Sequence, residues 1–320
     1  MSLSVLMTSL NFKYSLANIQ KNILLAPYTT FKIGGPAKYF FIAKNKNDLI
    51  KAIKWARTNH LLFFVLAGGS NILASDEGFD GLVIKFQVSS FKFQRNKIVA
   101  EAGVSLNKII IESIKRGLTG FEWAVGIPGT VGGAVYGNAG AYSHSISESI
   151  DKVTAFSPQK LSIKKYANTE CKFTYRSSIF KKNKDIILEV ELKLPEDNQE
   201  KIQKRIKEYL ESRVNKIPSE PSAGSIFKNL KIQEQNAKFQ KMIPQEKIKS
   251  GMVPAGYLIE QCGLKGRRQG NAQISEKHAN FIVNLGNAQA KDVIDLIKLC
   301  QKEVKKKFGV KLEEEIQYLN

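Results

Sequence analysis

Cysteine, histidine, methionine and tryptophan are scarce in this chain of 320 residues, at 3, 3, 4 and 2 copies. Cys171, Cys262 and Cys300 lie far apart without a C-x-x-C pair, which excludes a disulfide framework and a zinc-finger spacing and fits idle thiols in a reducing compartment. With so few and such scattered histidines, no metal site is expected. Long apolar runs are missing too, so no segment reads as a membrane span. The opening MSLSVLMTSLNFKYSLANIQ lacks a basic n-region, and Ser and Thr interrupt its apolar residues, so no signal peptide is read there and a cytoplasmic location is expected. Neither G-x-G-x-x-G nor G-x-x-x-x-G-K-[ST] occurs, which excludes a Rossmann or P-loop nucleotide site. No internal repeat is found.

Acidic residues are few against basic ones, 29 to 49, giving a formal net charge of +20. Such a charge draws in an acidic partner, either nucleic acid or a phosphorylated small molecule. The lysines are spread over the whole length without an RNA-binding signature or finger pattern, which favours steering of a small anionic substrate and no nucleic-acid partner. A basic nucleic-acid-binding protein stays as the rival from another class, and it predicts salt-sensitive binding and a colourless preparation.

What the chain has in abundance is glycine at one place. Seven of its 23 glycines fall between Gly120 and Gly140, interleaved with Ala124, Thr130, Ala134, Asn138 and Ala139. Glycine is kept where the backbone needs positive φ or a close approach, and uncovered main-chain N–H groups can cradle an anion. A simple turn needs only one or two glycines. A nucleotide or dinucleotide site is therefore the stronger reading, and a loop that only turns corners the weaker one.

The length implies two domains or three small ones. A mobile arm is expected over residues 1 to 26, ahead of a short helix. The run from Tyr28 stops at Gly34-Gly35-Pro36, and a strand follows over Ala37 to Ala43. Asn47 is the expected cap of a helix burying Leu49, Ile50, Ile53 and Ala56. The apolar run Leu61 to Leu66 has the pattern of a strand buried on both faces. It delivers the loop Gly68-Gly69-Ser70-Asn71, where ligands bind in β-α-β units. A second unit follows, with a strand over Lys97 to Ala102, a helix over Ser105 to Arg116 closed by Gly117, and strands over Lys152 to Ser157 and Asp185 to Leu194. Asn198 to Lys216 reads as an amphipathic helix with Ile202, Ile206, Tyr209, Leu210 and Val214 on one side. Beyond it come a helix over Ala255 to Cys262, a strand over Ala279 to Leu285, a helix over Ala290 to Lys307 and a closing strand over Lys311 to Leu319.

Three small-residue loops on strand ends, Gly34-Gly35, Gly68 to Asn71 and Gly126 to Gly140, need one ligand that could occupy them together, and two phosphates with two ring systems would suffice. Six segments, TTFKIGGPA from Thr29, AGGSNIL from Ala67, GIPGTVGGAVYGNAGA from Gly126, YRSS from Tyr175, GSIFKN from Gly224 and AGYLIEQCGLKG from Ala255, occur in this order. Each is a weak signal alone. As a set, spanning residues 29 to 316, they resemble the UDP-N-acetylenolpyruvoylglucosamine reductase family.

The resemblance implies an α+β fold: a two-subdomain FAD-binding domain of the vanillyl-alcohol-oxidase (PCMH) type, then a C-terminal α+β substrate-binding domain. The implied boundaries are an arm over 1 to 27, the FAD domain over 28 to 197 with subdomains 28 to 96 and 97 to 197, and the substrate domain over 198 to 320. FAD would be held by Gly34, Gly35, Gly68, Gly69, Ser70, Asn71, Gly126, Pro128, Gly129, Gly132, Gly133, Asn138, Ala139 and Gly140. Ser70-Asn71 stand where oxidase relatives carry a flavin-linked His, so the flavin is expected to be non-covalent. The implied reaction uses NADPH as co-substrate and reduces the enolpyruvyl group of a UDP-sugar to UDP-N-acetylmuramate, a peptidoglycan precursor, in a monomer that binds neither membrane nor nucleic acid.

By the same resemblance Arg176 and Glu315 stabilise the enolate and Ser225 protonates it. Tyr175, Lys228, Asn229, Arg268 and His278 would contact substrate. The residue types fit that chemistry, since arginine stays charged and forks onto carboxylates, and Glu315 helps an enolate only while it holds a proton or gives a hydrogen bond. Taken singly, Arg176 fits a surface ion pair, Ser225 a turn, and Glu315 a solvated carboxylate run with Glu313 and Glu314. Only the resemblance selects Glu315 over Glu313. Arg268 fits a solvated loop as well as a diphosphate contact. Two departures, Leu230 where the family often has Pro and Gln317 where it often has Arg, bear on substrate positioning. The form PSAGS from Pro221 resembles the shorter subtype. Another non-covalent flavoprotein of the same fold is the enzymatic rival, with the C-terminal motifs as discriminator.

Overall fold

The computed structural model describes residues 16 to 320. Contacts divide the chain into two compact units, the first made of the described residues through Ile23, Ala37–Gly68 and Phe79–Gln203, the second of Leu24–Pro36, Gly69–Gly78 and Lys204–Asn320.

The first unit carries two sheets. One has the order Gln20–Leu24, Pro36–Ala43, Phe79–Phe86, Leu62–Leu66, with Phe40 opposite Val83 and Val65 opposite Ile84 in parallel pairs. Helix Lys46–Thr58 covers it with Leu49, Ala52, Ile53 and Ala56, all fully buried. Its cap is Asn45, two residues before the expected Asn47, because the Asn45 side chain accepts the Asp48 amide at 2.9 Å. Leu62–Leu66 is an edge strand with Leu62 68% exposed, so its unbroken apolar run does not mean burial on both faces. At the opposite edge, Gln20–Leu24 is a strand where an arm was expected, and residues 1 to 15 of that arm lie outside the described residues.

The second sheet is antiparallel, ordered Ser162–Ala167, Ile150–Ser157, Ile186–Lys193, Lys97–Glu101, Phe91–Gln94. Val153 pairs with Val190, and Val190 with Ala100, so the buried face alternates as period two demands. Helix Leu106–Ile114 buries Leu106, Ile109 and Ile110. The short helix Val131–Gly137 lies against strand Ile186–Lys193. Gln199–Lys216 is the expected helix, but of its apolar stripe only Ile202 is buried, Ile206 and Tyr209 are half-buried, and Leu210 and Val214 are exposed.

The second unit is built on a sheet ordered Ser222–Ser225, Phe281–Asn284, Ala272–Ile274, Arg268–Gln269. Helix Ala290–Phe308 lies on this sheet and buries Val293, Leu296, Ile297, Cys300, Val304 and Phe308. The core also takes in Phe31, Ile33 and Leu73 from far upstream, which explains why two short early segments group with the C-terminal half. Asp76 fixes that grouping: its carboxylate accepts the Ala290 amide at 2.8 Å and the Lys291 amide at 3.2 Å, capping the helix from a distant point in the chain. The closing strand is shorter than expected, Gln317–Leu319, and it pairs in parallel with Ile72–Ala74. Residues Glu313 to Glu315 instead run along Ile226 to Lys228, through Lys228 N to Glu313 O at 2.8 Å and Glu315 N to Ile226 O at 2.7 Å.

Candidate active site

In the first unit the glycine-rich stretch is laced to the strand and helix before it. Leu106 donates to the Gly129 carbonyl at 3.1 Å, Val131 to Val104 at 2.9 Å and Gly132 to Ala102 at 2.8 Å. A Cβ on Gly132 would stand 2.5 Å from the Ala102 Cβ, and one on Gly68 2.7 Å from the Gly129 Cα. These two glycines exist for chain-on-chain approach. Gly133 differs: its Cβ would meet only the Thr130 Oγ1, at 3.5 Å, and one on Gly137 would meet nothing. Gly126, Pro128 and Gly133 are exposed, and Gly126 and Gly129 have φ of +75° and +127°. The stretch thus alternates glycines packed on neighbouring chain with glycines, Gly133 and Gly137, that leave open space beside their backbone.

Asn138, Ala139 and Gly140 close the stretch. Asn138 adopts αL and is buried; it donates to the Thr174 carbonyl at 2.9 Å and accepts the Ser147 amide at 3.3 Å. The Ala139 amide donates to the Ala134 carbonyl at 2.8 Å and its carbonyl accepts from Ile146 at 2.9 Å. A Cβ on Gly140 would lie 2.4 Å from the His144 carbonyl oxygen. Thr174 in turn exchanges both backbone hydrogen bonds with Ser177, each at 3.1 Å, so Tyr175 and Arg176 sit at the tip of a tight turn. Arg176 has a φ of +54°, and its guanidinium lies 5.1 Å from the Tyr175 ring centroid. Ser178 Oγ ties this turn to the Tyr136 carbonyl at 2.8 Å.

One residue of this unit escaped sequence reasoning. Lys85 lies inside strand Phe79–Phe86 and its ammonium donates to the Ala67 carbonyl, at the entry of the Gly68–Asn71 loop. Burial pushes its pKa down. A lone lysine in the apolar run GLVIKF was the available signal.

In the second unit Gly34 meets side chains, and Gly35 and Gly69 meet backbone, rather than open space. A Cβ would stand 2.7 Å from the Ala74 Cβ at Gly34, 2.0 Å from the Asp76 oxygen at Gly35 and 2.2 Å from the Tyr28 oxygen at Gly69. Ser70 is half-buried. Asn71 Nδ2 donates to the Glu315 carbonyl at 3.1 Å, and the Asn71 carbonyl accepts the Gln317 amide at 3.0 Å.

Ser225 ends strand Ser222–Ser225 opposite Phe281, next to Gly224 with φ +77°. The chain beyond it is clamped by buried Asn280, whose side chain accepts the Phe227 amide at 3.0 Å and donates to the Phe227 carbonyl at 2.8 Å. Both backbone groups of Phe227 are thereby satisfied, and Ser225 and Lys228 are set on either side. Lys228 forms an ion pair with the exposed Glu313. Glu314 accepts from Gln301 at 2.9 Å and from the Tyr318 hydroxyl at 2.5 Å. Asn229 accepts the Ala255 amide at 3.2 Å, at the start of helix Ala255–Gln261. His278 is half-buried and its Nδ1 accepts the Asn280 amide at 3.1 Å; burial pushes its pKa down. Arg268 is exposed on the edge strand Arg268–Gln269. Among the described residues no group of three or more His, Cys, Asp or Glu is placed to hold a metal, and no helix is long and apolar enough to cross a membrane.

Residues 37–159 match the model of the FAD binding domain, and residues 212–319 match that of the UDP-N-acetylenolpyruvoylglucosamine reductase C-terminal domain. The UDP-N-acetylenolpyruvoylglucosamine reductase of Solibacter usitatus is 39% identical over 92% of this chain and 95% of its own. The chain belongs to the UDP-N-acetylenolpyruvoylglucosamine reductase family. The enzyme of that name from Caldicellulosiruptor saccharolyticus is 42% identical over 92% of this chain and 90% of its own. The crystal structure of the Thermus caldophilus reductase superposes with a TM-score of 0.74 at 32% identity, covering 94% of this chain and all of that one. The fold is the expected FAD-binding domain of the PCMH type with the family's C-terminal domain.

Proposed function

We propose that this reductase takes electrons from NADPH and reduces UDP-N-acetylglucosamine enolpyruvate to UDP-N-acetylmuramate, with Arg176, Ser225 and Glu315 as catalytic residues. Family membership supports the reaction. The observation that carries the residue assignment is the pairing of Ile226–Lys228 with Glu313–Glu315, which brings the backbone next to Ser225 within 2.7 Å of the Glu315 amide.

When bound, FAD supplies the two-electron chemistry, accepting hydride from the nicotinamide and returning it to the vinyl terminus of the substrate. Negative charge then develops on the adjacent carbon and its carboxylate. Arg176 carries a permanent positive charge for that carboxylate, and its placement at a turn tip fixes the side chain's origin. The Ser225 hydroxyl gives its proton to the carbon and recovers one from water. Glu315, holding a proton, donates a hydrogen bond to the enolate oxygen. Exposed Glu313 pairs with Lys228, and Glu314 accepts from Gln301 and Tyr318; the choice of Glu315 as the acid of this triplet rests on the family resemblance. The bare backbone at Gly133 and Gly137 would hold the flavin pyrophosphate, without a covalent link.

The decisive experiment is anaerobic, recording the visible spectrum through successive additions of NADPH and the enolpyruvyl UDP-sugar. A flavin band that bleaches with NADPH and returns with the sugar supports both half-reactions. Bleaching without return refutes the substrate assignment, and a protein that binds no flavin refutes the reading altogether.

A further inference from the structure

Asn71 belongs to the loop Gly68–Asn71, where the residues resembled a flavin-binding motif. Its hydrogen bonds point elsewhere in the second unit. The Nδ2 group donates to the Glu315 carbonyl at 3.1 Å, and the Asn71 carbonyl accepts the Gln317 amide at 3.0 Å, so one residue brackets the peptide units that follow Glu315. On the other side the Glu315 amide is held by the Ile226 carbonyl at 2.7 Å. The parallel pairing of Ile72–Ala74 with Gln317–Leu319 begins at the very next residue, Ile72 opposite Gln317.

Strand pairing alone would carry the backbone bond from Gln317. The side-chain bond to Glu315 is additional, and Glu315 stands two residues before the ladder starts at Gln317, outside the strand pairing. An amide side chain is the shortest group that can hand an N–H to that carbonyl while its own main chain stays in register. We infer that Asn71 is a positioning residue for Glu315, fixing the carboxylate by holding its peptide, in addition to any contact its loop makes with flavin. This rests on the assignment of Glu315 as the acid that stabilises the enolate.

The expected consequence is a selective one. A carboxyl group displaced by about 1 Å loses on the order of 10- to 100-fold in the step it serves. Asn71→Ala should therefore slow reoxidation of the reduced enzyme by the enolpyruvyl substrate by about that factor, with a much smaller effect on bleaching by NADPH. The test is a cycle of single-turnover measurements on the holoenzyme, using Asn71→Ala, Glu315→Gln and the double variant. If Asn71 acts through Glu315, the double variant reoxidises no more slowly than Glu315→Gln alone. Multiplying effects, or equal losses in both half-reactions, would overturn the inference. An unaltered rate in Glu315→Gln would instead remove the assignment on which it rests.

A second readout needs no turnover. Amide hydrogen exchange in the flavin-free protein should accelerate at Glu315 and Gln317 in Asn71→Ala and in the near-isosteric Asn71→Asp, which keeps the volume but loses the donor. Unchanged exchange there would also overturn it.

Discussion

The glycine-rich stretch of the first unit and the Ser225–Lys228 ribbon of the second solve different problems. The stretch is proposed to act through its backbone, and the fold must still anchor a segment with few side chains to bury. It does so by splitting the glycines, with Gly132 pressed onto Ala102 and Gly133, one residue later, left open. The ribbon is proposed to act through its side chains, and its backbone is held by other side chains, with Asn280 on Phe227 and Asn71 on Glu315. A backbone site is built by leaving atoms out, and a side-chain site by adding polar clamps.

The comparison breaks most visibly at Ser225. Removing its hydroxyl in Ser225→Ala should slow substrate-driven flavin reoxidation by about 10²- to 10⁴-fold, the worth of a positioned general acid, while bleaching by NADPH persists. Stopped-flow absorbance reads both, and unaltered reoxidation would put the proton donor elsewhere.

Next in size is the contrast between adjacent glycines. Gly132→Ala drives a Cβ into the Ala102 Cβ at 2.5 Å and its carbonyl oxygen at 2.9 Å, and backbone cannot yield cheaply. Urea unfolding of the flavin-free protein should show a loss of about 1–3 kcal/mol. Gly133→Ala, in open space within a helix, should leave the flavin-free protein as stable or gain up to about 1 kcal/mol. Its loss should appear as weaker FAD binding in a fluorescence titration. Equal behaviour of the two variants would mean that the stretch is uniform, and the division drawn above would fall.

The pH dependence of stability sharpens the ribbon side. His278 is half-buried and accepts a hydrogen bond at Nδ1, and burial holds its pKa below the ordinary 6.5. The unfolded chain therefore binds the proton first as pH falls, and stability is lost from about pH 6.5 downward until the folded pKa is passed. Urea midpoints between pH 7.5 and 5 should fall more steeply for the parent protein than for His278→Gln.

Smallest is Glu313→Gln. Its partner Lys228 is partly buried but the glutamate side chain is 73% exposed, so the pair contributes about 0–1 kcal/mol in a double-mutant cycle. Reoxidation should stay within about threefold of the parent rate. A collapse comparable to that of Glu315→Gln would exchange the roles of the two carboxylates.

Motif order made the family legible from the chain alone, because each segment carries a local backbone demand: glycines that need space, a serine at a strand end, a tyrosine and arginine at a turn. Elements with strong periodicity were legible for the same reason, such as helix Ala290–Phe308 with its regularly spaced apolar face. Where the reading failed, the deciding partner was distant. An unbroken apolar run cannot reveal that Leu62–Leu66 lies at a sheet edge, since strand order depends on which other strands pair with it. Alternation over Lys311–Leu319 cannot reveal that Glu313–Glu315 leave the sheet to run beside Ile226–Lys228. Lys85 and Asn280 were passed over because neither sits in a motif, and their hydrogen bonds reach Ala67 and Phe227.

The amino-acid sequence by itself determined the kind of protein, its flavin-binding and C-terminal domains and the residue types available for chemistry, because those follow from local patterns that survive any change of surroundings. Only the tertiary structure decided which glycines face backbone and which face open space, and that Glu313 pairs with Lys228 while Glu314 takes Gln301 and Tyr318. It also gave Asn71 a second partner in Glu315. Those choices depend on contacts between residues up to 244 positions apart, and hydrogen bonds and steric overlap act on distances in space that residue order does not contain.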